Sequence, residues 1–243
     1  DDSRQFPDVF WRFGTLLRDG FYVAKDEKMS LHYFYEAAEL GCVHAVVGIG
    51  EAAIKESRKA IERSKTSQKS IEMLSIAKEN MNVAFRCFSN AAAANSVSSR
   101  WCEANCLLKG VGGEVNIPAA VLTLRYMADR GDRDAIYKLG KIAYNTSKGG
   151  LKSMSLFNIG VKFIVEAAKL GHSTAIWRIG LLILQGKIVK NAASLILNDG
   201  NFDFLNASYE KVAAELFKRS ADCGNLRAAQ LFSLCLENGI GVE

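Results

Sequence analysis

Ala167-Ala-Lys-Leu-Gly171, followed by Ala175 and Gly180, is the stretch from which the rest of the chain can be read. It returns as Ala37-Ala-Glu-Leu-Gly41 with Ala45 and Gly50, and as Met127-Ala-Asp-Arg-Gly131 with Ala135 and Gly140. In each copy an Ala stands four places after the first Gly, and a second Gly nine places after it. Self-similarity at fixed offsets marks a repeat array, in which each unit buries its apolar face only against its neighbours.

With the second Gly of the motif as position zero, the series runs Gly14, Gly50, Ala104, Gly140, Gly180, Ser233, at spacings of 36, 54, 36, 40 and 53. A unit of 36 residues with insertions of 18, 4 and 17 accounts for all five spacings. Each unit reads as two helices. Helix A carries the small residue at zero in its middle, where a larger side chain would push the neighbouring helix away. A glycine six places on (Gly20, Gly110, Gly186, Gly239) ends it in the left-handed conformation.

Helix B follows, with small residues at Ser30, Ala84, Ala120, Gly160 and Ala213 and a bulky apolar group at Phe34, Phe88, Leu124, Ile164 and Phe217. It ends at Gly41, Asn95, Gly131, Gly171 or Gly224, Asn being the usual substitute for Gly in left-handed backbone. Ser96, Asp132 and Asn225 then supply N-caps for the next helix A.

The first insertion is expected between Glu51 and about Asn82. Glu51 to Arg63 keeps helical spacing, with Glu and Lys/Arg within reach of one another, so helix A of the second unit runs past its normal end. Ser64 to Gln68 turns into an equally long helix B from about Lys69 to Ala94. The result is a protruding hairpin about 51–82, either simply solvated or an arm for a partner. The second insertion, a loop about 187–207, contains the turn signal Asn198-Asp-Gly200. Phe202, Phe204 and Leu205 either tuck back onto the array or offer apolar anchors.

Composition fits this picture. Of 243 residues, 49% are hydrophobic and 23% charged, enough to bury a core, and only two are proline. A net charge of +5 suits an acidic partner without demanding nucleic acid. No run approaches the roughly 18 apolar residues of a membrane span, so no direct membrane insertion is expected. The opening Asp1-Asp-Ser-Arg4 is not a signal peptide, and Glu237-Asn-Gly-Ile-Gly-Val-Glu243 stops in mid-repeat, so 1–243 reads as a single array cut from a longer protein.

Six cysteines at irregular places (42, 87, 102, 106, 223, 235) suggest free, mostly buried thiols rather than a disulfide scaffold. The sequons at Asn145 and Asn206 suggest surface loops in a secretory compartment. The two signals pull apart and leave cytoplasm, organelle interior and endoplasmic-reticulum lumen undecided.

The signature, a small-residue pair, Glu/Lys-Leu-Gly, Ala, apolar-Gly and then Gly-x-Gly-Val, resembles the Sel-1-like repeats, relatives of the tetratricopeptide repeats. Phe10-Trp-Arg-Phe-Gly14, Ala135-Ile-Tyr-Lys-Leu-Gly140 and Asn238-Gly-Ile-Gly-Val242 carry it best, and repeat two carries it least. The resemblance covers nearly the whole chain. It implies an all-α, right-handed α/α superhelix of about five and a half helix pairs that acts as an adaptor or scaffold in a multiprotein complex. The secreted branch of the family has a regular Cys pair in every repeat, which this chain lacks.

A partner is expected along the face that successive helices present. Position −3 of helix A holds Trp11, Trp101, Tyr137 and Trp177, either as wedges between helices or as groove-facing aromatic contacts. Positions −2, +1 and +5 share one face: Arg12/Thr15/Asp19, Gly48/Glu51/Lys55, Cys102/Asn105/Lys109, Lys138/Lys141/Asn145 and Arg178/Leu181/Gln185. Six positive charges there meet two negative ones. Arg12, Lys109, Lys138, Lys141 and Arg178 are therefore the candidate partner-binding residues, for an acidic peptide or protein surface. A nucleic-acid-binding solenoid is the alternative.

No chemistry competes with that role. His32, His44 and His172 never pair at metal spacing, and Cys102 with Cys106 makes only half a zinc site. Gly110-Val-Gly-Gly113 lacks the Lys-Ser/Thr of a phosphate loop. The expectation is a protein without catalytic, metal-binding or cofactor-binding residues.

Overall fold

The computed structural model describes residues 7–65, 70–94, 96–148, 153–197, 202–203 and 206–242, and these form helices, turns and no strands. Helix pairs follow the sequence register: α1 (Pro7–Asp19) with α2 (Glu27–Glu39), α3 (Val43–Ser64) with α4 (Ser70–Ala93), then α5 (Val97–Lys109) and α6 (Ile117–Ala128). They continue with α7 (Arg133–Lys148) and α8 (Met154–Lys169), and end with α9 (Ser173–Leu184), α10 (Ser194–Leu197), α11 (Tyr209–Asp222) and α12 (Leu226–Asn238). The protein is thus an all-α repeat fold. It divides into two compact units, 1–123 and 124–243, with the division inside α6.

Within the first unit α1 packs on α2, α2 on α3, α3 on α4 and α4 on α5; within the second, α7 packs on α8, α8 on α9, α9 on α11 and α11 on α12. Contacts that run from each helix to the next are the mark of stacked repeats. The small residues at zero explain how closely they stack. A Cβ on Gly14 would come within 2.8 Å of the Phe34 ring, one on Gly50 within 2.8 Å of Phe88, and one on Gly180 within 2.8 Å of Phe217. The bulky residue of helix B fills the place left by the missing side chain of helix A. Phe34 also meets Gly48, so one ring lies between two successive A helices. All five bulky residues of this series are 1% exposed or less, and burying a Phe or Leu contributes about 2–3 kcal/mol.

Polar groups finish the stacking. Ser30 Oγ donates to the Gly14 carbonyl at 2.7 Å, and Ser220 Oγ donates to the Ser173 carbonyl at 2.8 Å. Gly110 and Gly239, both with positive φ, end α5 and α12. Ser96, Asp132 and Asn225 accept backbone N–H bonds as caps. Asn95 lies outside the described residues.

The first insertion appears as length. α3 has 22 residues and α4 has 24, against 13 in α1, α2 and α5. The connecting residues 66–69 lie outside those described.

The second insertion is more ordered than a loop. A 3-10 turn, Lys190–Ala193, runs directly into α10 because Ala193, Ile196 and Leu197 bury themselves in the core with Ile179, Leu182 and Leu216. Lys190 Nζ donates to the Ala207 carbonyl at 2.8 Å, and Arg219 donates to the Leu197 carbonyl at 2.9 Å. Phe202 tucks against the same core. Phe204, Leu205 and the Asn198–Gly200 turn lie outside the described residues. Asn145 belongs to α7 rather than to a loop, with Ser147 buried two residues on.

Candidate partner-binding surface

In the first unit part of the stripe expected from positions −2, +1 and +5 lines two clefts, one among α1, α2 and α3 and one among α3, α4 and α5. One, about 600 Å³, is bounded by Arg18, Glu27, Ser30, Phe34, Glu51, Lys55 and Lys59 from α1, α2 and α3, among others. The second, about 560 Å³, lies among α3, α4 and α5, and its lining includes Glu51, Ile54, Arg58, Met81, Phe88, Cys102, Asn105 and Lys109. Glu51, Lys55, Cys102, Asn105 and Lys109 were all placed on the stripe by periodicity, and the fold gathers them around these cavities. Arg12 is exposed on α1 and lines neither.

The two clefts differ in how their charges are used. In the first, Glu27 receives both Lys55 and Lys59, the latter at 3.1 Å, and Lys59 also reaches Glu56 at 2.7 Å. Hydrogen bonds from Lys55 and then Lys59 hold the Glu27 carboxyl down to about 2. Arg18 reaches Asp19 at 2.8 Å and Glu51 at 3.1 Å. Both acids of the stripe are therefore engaged by Arg18, a residue one position off it. In the second cleft, Arg58 and Lys109 are exposed and have no ion pair among the described residues. The hydroxyl of Ser57, which also lines this cleft, is sealed from solvent with no hydrogen-bond partner among the described residues.

In the second unit, Lys138 and Lys141 lie on α7 and Arg178 on α9. Lys141 is exposed, whereas Lys138 and Arg178 are half-buried. The Arg178 guanidinium stands 4.9 Å from the centre of the Tyr144 ring, a cation–π contact that holds its charge in place without neutralising it.

The aromatic slot at −3 points toward the start of the next helix A. Trp11 lies 5.1 Å from His44, Tyr137 stacks at 4.3 Å on His172, and Arg227 stands 5.9 Å over Trp177. Trp177 has its indole N–H sealed without a partner among the described residues. Trp101 is half-buried on α5. His172 caps α9: its Nδ1 accepts the Ala175 N–H at 3.1 Å, while Nε2 lies 3.3 Å from the Asp134 carboxylate. Desolvation lowers its pKa, against the opposing pull of Asp134.

The cysteines are free. Burial raises the Cys106 thiol to about 11 and raises Cys87 and Cys102 as well, so none of these three is a ready nucleophile. No group of three His, Cys, Asp or Glu able to hold a metal occurs among the described residues, and no helix among them is long and apolar enough to cross a membrane.

Periodicity missed Arg18, Glu27, Arg58 and Lys59. Glu27 and Lys55 are 28 residues apart on different helices, a pairing with no local signal. Arg58, eight places after Gly50, joins the surface only because α3 is long.

The family model described as Sel1 repeat matches residues 12–42, 74–96, 133–172 and 193–225. The unmatched stretch between the first two segments, 43–73, contains the whole of α3 and the start of α4. Among solved structures, a Sel1 repeat protein from Oxalobacter formigenes is similar at 21% identity and a TM-score of 0.65, over 97% of this chain and 81% of that one. A protective antigen of uropathogenic Escherichia coli strains, displaying an SLR fold, is similar at 17% identity and a TM-score of 0.42, over 98% of this chain and 58% of that one. A search of curated proteins by sequence gave no match.

Proposed function

Because the chain belongs to the Sel1 repeat family, whose members are generally protein-interaction scaffolds, we propose that it is a non-catalytic adaptor that holds an acidic protein partner. The supporting observation is how the charges on the stripe are shared out. In the first unit its two acids are taken up by Arg18, whereas Arg12 and Lys109 face solvent with no ion pair among the described residues; in the second unit Lys141 does the same. Unpaired cations on ordered helices attract an acidic surface and orient it as it arrives. The perturbed thiols are raised rather than lowered, the direction that disfavours catalysis.

The test is charge reversal. Partners are identified by co-purification with the full-length protein. The triple variant Lys138→Glu, Lys141→Glu, Arg178→Glu is then compared with wild type for binding to the purified partner. Weakened binding with an unchanged helical spectrum supports the proposal. Undiminished binding by a folded variant removes the basic face from it. A salt-dependent affinity for RNA or DNA at physiological ionic strength would instead favour the nucleic-acid alternative.

A further inference from the structure

We infer that the cleft among α3, α4 and α5 is a subsite for one element of an acidic peptide: an apolar side chain flanked by Asp or Glu. This rests on the reading of the chain as a holder of acidic partners, and it specifies where and how one partner segment is gripped. The apolar part of its lining is formed by Ile54 of α3, Met81 and Phe88 of α4, Cys106 of α5 and Val111 just beyond it, with Phe88 and Cys106 buried. Its lining also includes Arg58 and Lys109, exposed cations with no ion pair among the described residues. The acid of the lining, Glu51, is engaged by Arg18 at 3.1 Å, so the cleft's free charge is positive.

A volume of about 560 Å³ falls within the range of small ligand sites and admits one or two side chains. The neighbouring cleft makes the contrast. It has similar size, but three of its four lining cations, Lys55, Lys59 and Arg18, are spent on Glu27, Glu56, Asp19 and Glu51, and only Lys28 has no ion pair among the described residues. An acidic guest there meets one unpaired cation and beyond it has to displace existing pairs. At Arg58 and Lys109 it displaces only water.

The experiment uses the whole chain and a fluorescein-labelled peptide of about ten residues with a central Leu flanked by Asp and Glu. Two companion peptides change the Leu to Gly or the acids to Lys. Wild type is expected to bind the acidic Leu peptide at least about tenfold more tightly than either companion, and the double variant Arg58→Glu, Lys109→Glu to lose about tenfold or more. Met81→Gln, which changes the lining without changing its charge, should weaken the acidic Leu peptide and leave the Gly companion unaffected. If the peptide binds wild type and the Arg58/Lys109 variant equally, with both folded, the subsite is overturned while acidic recognition stands. If wild type binds none of the three peptides, the inference and the acidic reading beneath it both fall.

Discussion

Gly140 in α7 lies so close to Ile164 in α8 that a methyl group in place of its hydrogen would come within 2.8 Å of the Ile164 side chain and 2.9 Å of the Gly160 carbonyl. Gly160 answers from the other helix: a Cβ there would lie 2.7 Å from the Tyr144 backbone nitrogen. In an ordinary helix, Gly→Ala stabilises by about 0.5–1 kcal/mol. Here the added methyl meets backbone on both sides, so the two helices must separate. Gly140→Ala and Gly160→Ala are each expected to destabilise the second unit by about 1–3 kcal/mol. Urea denaturation followed by circular dichroism checks the sign; a raised midpoint for either variant would contradict this account of the stacking.

That ladder is also where the sequence was most legible. Gly at zero and the bulky residue on helix B were both visible as repeats, since each position recurs at a fixed offset. That Gly14 and Phe34 touch each other was not, because offsets give register along a helix but not which side chain fills which gap. The candidate surface divides in the same way. Lys109 and Lys141 fell on the stripe by period alone, whereas the Glu27–Lys55 pair depends on α2 and α3 lying side by side. The 3-10 turn at 190–193 and α10 after it were not legible because so short a segment shows no period and acquires helical form only when a core such as Ile179 and Leu216 receives Ala193, Ile196 and Leu197.

His172 couples the second unit to pH. Its Nδ1 must be unprotonated to accept the Ala175 N–H, which leaves the hydrogen on Nε2, facing Asp134. Desolvation, aided by Arg133 and opposed by Asp134 and Asp132, sets the folded pKa below the ordinary histidine value of about 6.5. The unfolded state therefore takes up the proton first on acidification. The contribution is fully present above about pH 6.5 and is lost as pH falls through the folded value. His172→Asn keeps a cap without the titration. Wild type should lose more stability than this variant between about pH 7.5 and 5.5, measured as urea midpoints; parallel losses would show that His172 is not responsible.

Thiol reactivity offers a readout of packing. Cys223 is exposed at the end of α11, whereas Cys42, Cys106 and Cys235 are buried, and Cys106 is raised to about 11. Iodoacetamide at about pH 8 should modify Cys223 first, with the buried three reacting only in denaturant. Peptide mass spectrometry over a time course decides it. Early labelling of Cys106 or Cys42 would mean that the helix pairs open far more readily than their burial implies.

Glu27 provides the sharpest test of the electrostatic argument, because its one carboxylate pairs with two lysines at the edge of the first cleft. Its carboxyl, held down to about 2 by the hydrogen bonds from Lys55 and Lys59, stays ionised at any pH near neutrality. Glu27→Gln removes that charge with little change of shape and releases the Lys55 ammonium, while Lys59 keeps its pair with Glu56. The pairs are exposed, so the melting temperature should hardly move. Affinity for the acidic peptide should rise a few-fold at about 50 mM salt, and the gain should vanish near 0.5 M, where the screening length is only a few ångströms. A gain that persists at high salt would point to a change of shape, and no gain at low salt would mean that charge on this face does not draw the partner in.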